Sequence, residues 1–332
     1  MYNLISFLLL IMLLTCSGPA YGEYVWKVIP SIEISDGYET LDGKIVSRTL
    51  IRSLYVDDYF TSRKPALSLF LNPSDTLYIN AGYSIKKHFY SKYTSYNTRE
   101  NSANLFMNYA LPYNLSIGVS ASHEEFQVRK FGYMDYKSTA TKPFAGIKIN
   151  EFDLTFSQLT FKKEYEERLF ETIDPIEEDY YKNELMLSYS FSPSKSISLG
   201  VDYGQNESNF SVFDYHYEAL FLSGRFNIYK KVKATLFYRR EKTEYDRLPW
   251  PIEVVFLYGL NPDFALANKD SLLSTREDRE DIFSLQVYSI INSWLKLSLD
   301  YSYTSNHSSY SWEEYENQIV SFSIKFFQRY KK

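Results

Sequence analysis

Apolar and polar residues alternate along most of this chain. Near its end Val320, Phe322, Ile324 and Phe326 alternate with Ser321, Ser323, Lys325 and Phe327, and Tyr330 follows. A period of two gives a strand one oily face and one wet face. The same pattern recurs in about fourteen segments, each about the length of a tilted membrane-crossing strand. Leu77, Ile79, Ala81, Tyr83 and Ile85 alternate with Asn80, Gly82 and Ser84, and Leu115, Ile117, Val119 and Ala121 alternate with Ser116, Gly118 and Ser120. Leu295, Leu297, Leu299 and Tyr301 likewise alternate with Lys296, Ser298 and Asp300. One face for lipid and one for a water-filled interior predict an all-β, antiparallel transmembrane β-barrel of about 14 strands. In one segment the apolar positions change phase, from Phe152, Leu154 and Phe156 to Leu159 and Phe161, which predicts a β-bulge near Ser157 and Gln158.

The connections alternate in length. Asn72 to Asp75, Leu111 to Asn114, Asn150-Glu151, Ser192 to Lys195, Lys230-Lys231 and Asn292 to Trp294 read as tight turns, and longer, charged, Tyr-rich links lie between them. Short periplasmic turns and long outer loops are the rule for such barrels, so both termini are expected on the periplasmic side. Two links are too long for plain loops. Asp36 to Lys64 contains Leu50, Ile51, Leu54, Tyr55, Asp58 and Tyr59 at a spacing compatible with a short amphipathic helix. Asp246 to Glu280 contains an apolar run whose Trp250, Ile252, Phe256 and Tyr258 are candidates for a constriction loop. An added hairpin from either link would raise the count to 16 strands.

The first segment lies outside this pattern. Leu4 to Leu14 is an uninterrupted apolar run, and Ala20-Tyr21-Gly22 places small residues where a signal peptidase reads, so residues 1–22 are expected to be a cleaved signal peptide and 23–332 the barrel. The single cysteine, Cys16, falls inside this leader and follows Thr15, which is not the small residue that lipoprotein processing prefers. No second apolar run reaches helix-spanning length, which excludes a helical membrane protein. Tyr (32) and Phe (24) are far more frequent than Gly (12) and Pro (11), a surplus that aromatic girdles at two membrane interfaces account for. A net charge of -5 argues against nucleic acid as a partner.

Charges on the wet face matter most, because an interior lined by both signs defines a polar channel. On the assigned phase Lys86, Glu124, Lys148, Asp153, Glu184, Asp202, Arg225, Lys233, Arg239, Asp300 and Lys325 are the expected pore-lining residues. His88, His123, His216 and His307 are not at metal-ligand spacing, so no metal or other cofactor is expected. Asn306-His307-Ser308-Ser309 is the one local cluster with the residue types of a hydrolase, but adjacent strand residues point to opposite faces. The acidic runs Glu164 to Glu167, Glu177 to Asp179 and Glu277 to Asp281 lack an EF-hand pattern and read as hydrated outer loops.

In this dyad repeat, leader and final strand the chain resembles bacterial outer-membrane β-barrels. The resemblance implies residence in the outer membrane, surrounded by lipid and lipopolysaccharide, with Val320, Phe322, Ile324, Phe326 and Tyr330 as the signal read by the barrel-insertion machinery. The opening Val28-Ile29-Pro30-Ser31-Ile32-Glu33-Ile34-Ser35-Asp36-Gly37-Tyr38 is similar to barrels encoded with exopolysaccharide systems, which begin with a Pro-Ser strand entering an acidic loop. The leading expectation is a monomeric, porin-like channel for passive diffusion of small hydrophilic solutes. An accessory barrel for export or anchoring of a surface polysaccharide is the alternative, with lumen aromatics such as Tyr78, Phe106 and Phe237 stacking on sugar rings. An outer-membrane hydrolase ranks third.

Overall fold

The computed structural model describes residues 25–43, 46–47, 50–51, 56–129, 135–165, 176–192, 194–209, 214–229, 231–245, 276–309 and 314–327. The leader, Trp250, Ile252, Phe256 and Tyr258 of the apolar run, and Tyr330 lie outside the described residues. Fourteen antiparallel strands close into one barrel. They are β1 (Val25–Gly43), β4 (Val56–Ser74), β5 (Leu77–Tyr90), β6 (Thr98–Ala110), β7 (Leu115–Val128), β8 (Tyr136–Ile149) and β9 (Phe152–Tyr165), followed by β10 (Glu177–Ser192), β11 (Lys195–Ser208), β12 (Tyr215–Tyr229), β13 (Val232–Tyr245), β14 (Glu277–Ile290), β15 (Leu295–Ser308) and β16 (Tyr315–Phe327). Each pairs with its neighbours along the chain, and β1 pairs with β16 to close the ring.

The outer face carries exposed Leu67, Ile117, Phe156, Leu187, Val201, Leu220, Leu299 and Phe322. So much contiguous apolar surface is untenable in water and is what a lipid-facing band requires. Exposed aromatics gather at both rims: Tyr109, Phe152, Phe191, Tyr229 and Trp294 beside the short turns, and Tyr59, Phe89, Tyr181 and Tyr203 toward the long links. Trp294 stacks on Phe326 at 6.0 Å, and Tyr38 meets Tyr59 at 5.0 Å. No helix among the described residues is long and apolar enough to cross a membrane.

The two long strands correct the reading of the Asp36 to Lys64 link. β1 and β4 each run for 19 residues and stay paired from Val25↔Asn72 to Leu41↔Val56. Asp36, Asp58 and Tyr59 are therefore strand residues, not parts of a loop or helix. Backbone pairing outweighs the helical spacing because each strand finds a partner over its whole length. Leu50–Ile51 (β3) instead pairs with Val46–Ser47 (β2) in a separate two-stranded sheet that does not join the wall, so this link adds no strand to the barrel. The opening that resembles exopolysaccharide barrels continues as strand through Asp36 rather than entering a loop there.

The bulge expected near Ser157 and Gln158 is absent. β9 stays in unbroken register with β10 from Glu164↔Glu177 to Phe152↔Tyr189, so Leu159 and Phe161 share the inner face with Asp153 and Ser157. Phe161 packs edge-on against Tyr180 at 6.3 Å, which gives this apolar pair a place inside. The real irregularities lie beside short turns, between Leu71 and Ser74, Ser190 and Ser192, and Asn227 and Tyr229. In the two-residue turn between β8 and β9 Asn150 adopts a φ of 54°, a left-handed conformation that Asn tolerates well.

Candidate functional site: the lumen wall

The inner face is built from residues of one parity on each strand, and the register shows what they meet. Across β8 to β13 a ladder of ions runs around the wall. Lys142 Nζ lies 3.0 Å from Glu184 Oε1, and Lys182 Nζ bridges Glu184 Oε2 at 3.2 Å and Asp202 Oδ2 at 2.9 Å. Arg239 grips Asp202 with both terminal nitrogens, at 2.8 and 3.1 Å, and donates to Glu241 Oε2 at 2.6 Å. Thr243 Oγ1 ends the ladder by donating to Glu241 Oε1 at 3.1 Å. The Asp202 side chain is 0% exposed, so it is tenable only because two cations meet it.

Rings pack beneath these ions. The Arg239 guanidinium lies 5.6 Å from the centre of Tyr217, which stacks on Tyr180 at 5.8 Å and accepts that residue's phenolic hydrogen bond. Glycines make the space. Gly200 faces Phe221 across the β11–β12 pair and Gly204 faces Tyr217. A Cβ on either would lie 2.1 Å from Phe221 Cζ or 2.3 Å from Tyr217 Cε1, so the rings occupy the volume of the missing side chains and lie along the wall.

The arc from β4 to β8 is built differently. Phe70 and Tyr78 lie 6.5 Å apart, Tyr78 meets Phe106 edge-on at 6.0 Å, and Phe106 lies nearly parallel to Phe144 at 5.5 Å. Phe144 covers Gly118 as Phe221 covers Gly200. Between the rings stand uncharged groups: Asn80 donates to Tyr78 Oη at 3.4 Å, and the Asn104 amide lies over Gly82. Serine pairs recur along the inner face, Ser84 with Ser102, Ser188 with Ser198 and Ser35 with Ser323, each at 2.8 Å.

Among the sequence-predicted charges the structure joins Glu184, Asp202 and Arg239 in one network and sets Lys148 opposite Asp153. The others are spread around the ring. Lys86 stands opposite Glu100. Glu124 accepts the Tyr136 hydroxyl at 2.6 Å, Asp300 accepts Gln286 Nε2 at 2.5 Å and Ser298 Oγ at 3.1 Å, and Lys325 lies 3.4 Å from Glu33. Arg225 is flanked by Ser196 and Thr235, and Lys233 by Asn227 and Tyr288. The sequence reading missed Lys142, Lys182 and Glu241. Each lies an even number of residues from a residue already placed on the inner face (Lys148, Glu184 and Arg239), so extending the phase would have found them.

At the hydrolase-like cluster Ser308 stands opposite Asp278 and donates to it at 2.6 Å, whereas His307 stands opposite Arg279 on the other face. The residue types of a nucleophile and a base are adjacent in sequence and separated by the sheet. His88 is packed between Phe60, at 4.3 Å, and Tyr90, at 4.7 Å. Among the described residues no group of three His, Cys, Asp or Glu is placed to hold a metal ion.

No protein-family model matches the chain, and no curated protein matches its sequence. Solved structures are similar to it in fold. The outer membrane channel DcaP of Acinetobacter baumannii is 10% identical, with 94% of this chain and 99% of that one covered and a TM-score of 0.51. In-vitro folded OmpT of Vibrio cholerae is 8% identical over 93% and 99% of the two chains, with a TM-score of 0.48. The described residues form a closed antiparallel barrel of 14 strands, and its fold is similar to that of an outer membrane channel.

Proposed function

We propose that the protein is a porin-like channel for passive diffusion of small hydrophilic solutes, working as a monomer with its leader removed and both termini at the periplasmic rim. The observation that carries this reading is the opposition of the two faces. The outer face presents exposed Leu, Val and Phe, while the inner face presents Ser, Asn, Gly and paired ions around a closed ring of fourteen strands. Eight strands can be filled by side chains, but fourteen enclose more width than side chains lying along the wall can fill. Rings seated over Gly118, Gly200 and Gly204 lie along the wall, which supports a centre left open to water. In this reading the eleven predicted charges line the pore, and the solute passes between walls of both signs.

The test is conductance. Purified protein in planar bilayers should give discrete ohmic steps, and proteoliposomes should swell in small neutral sugars. Folded barrels that neither conduct nor admit solute would overturn the channel and favour an accessory barrel. Cross-linking in native membranes checks the monomer.

A further inference from the structure

We propose that the β4–β8 arc of the lumen is a binding strip for neutral oligosaccharides. This rests on the channel reading for its physiological meaning, though not for its binding chemistry. Phe70, Tyr78, Phe106 and Phe144 form a continuous row on four strands, with neighbouring centres 5.5 to 6.5 Å apart. Phe70, Tyr78 and Phe144 are half-buried, and Phe106 at the middle of the row is left uncovered. Phe106 is 37% exposed on the inner face, whereas Phe221 is 8% and Tyr217 1% exposed. An apolar ring turned toward water costs free energy that a stacked ligand face would recover.

The surroundings narrow the ligand class. Asn80, Asn104 and Ser120 are uncharged groups that both donate and accept hydrogen bonds. Two cations border the strip: Lys142 stands opposite Ser120 and is already engaged by Glu184 at 3.0 Å, and Lys27 stands opposite Phe70 at the β1 edge. Between Tyr78 and Phe144 an ionic solute therefore finds no free charge, and a wholly apolar solute would leave the amides without partners. A pyranose has apolar C–H faces and a rim of hydroxyls, which matches rings interleaved with amides. The row crosses several strands, so it suits a chain of sugar units better than a single one.

Saturation-transfer NMR on the folded protein in micelles, with maltohexaose and cellohexaose as probes, reads binding without requiring conduction. Transfer to the C–H protons of at least one probe is expected. It should be lost in Phe106→Ala and Tyr78→Ala and retained in Phe106→Trp. In planar bilayers the same sugar should interrupt the ion current, with an apparent affinity at least tenfold weaker in Phe106→Ala. No transfer to either sugar, or equal transfer in the alanine variants, overturns the strip. A protein that conducts without binding sugar refutes the strip alone, and one that binds sugar without conducting refutes the channel alone.

Discussion

Between β8 and β13 a ladder of ions that satisfy one another lies over the covered rings Phe221 and Tyr217, whereas the ring row between β4 and β8 is set among uncharged amides and leaves Phe106 in view. Both use the same device, an aromatic ring seated over a glycine on the next strand. The difference lies in what remains unsatisfied. In the ion ladder each charge already has its counter-charge, so the arc specifies the wall and has little left to offer a solute. The neutral arc has spare hydrogen-bonding capacity and spare ring surface, and both are available to whatever passes.

Substitutions should separate the two arcs, and the largest effect belongs to the ladder. Asp202→Ala leaves Lys182 and Arg239 facing each other without their shared anion, and should cost about 3 to 5 kcal/mol in urea unfolding from vesicles. Next comes the lipid face, outside both arcs. Leu299, 52% exposed, should cost about 2 to 4 kcal/mol as Leu299→Arg if it sits near the midplane. Gly200→Val forces Phe221 off the wall and should cost about 1 to 3 kcal/mol while lowering conductance. In a double-mutant cycle Phe221→Ala should return part of both losses. The smallest effect is expected at Phe106→Ala, about 1 kcal/mol, because that ring is only partly removed from solvent. Equal losses at Asp202 and Phe106 would erase the distinction between a structural arc and an available one.

How far the sequence reveals these arcs depends on the property in question. Faces were legible because alternation with a lipid outside leaves few choices: the parity that places Leu297 and Leu299 outward also places Ser298 and Asp300 inward. The same logic failed at Leu159 and Phe161, since it equates apolar with outward, and this lumen holds apolar rings against glycines and other rings. It failed again over Asp36 to Lys64, where charged and Tyr-rich residues that look like loop belong to strands extending past the oily band. Which charges meet could not be read at all. The Lys182–Asp202–Arg239 contact depends on the register of β10, β11, β12 and β13, and a shift of two residues would preserve every face while changing every partner.

The closing seam has a consequence for how such a molecule comes into being. All other wall strands pair with the strand before or after them along the chain, so their contacts can form as local hairpins at little entropic cost. β1 and β16 are the exception. From Ser31↔Phe327 to Gly43↔Tyr315 they join opposite ends of the sequence. Until that zipper closes, the molecule is a curled sheet with two raw borders, each a template for a stray strand. Losing β16 would therefore leave an adhesive ribbon rather than a narrower cylinder, and the longest loop closure in assembly is the meeting of the first strand and the last.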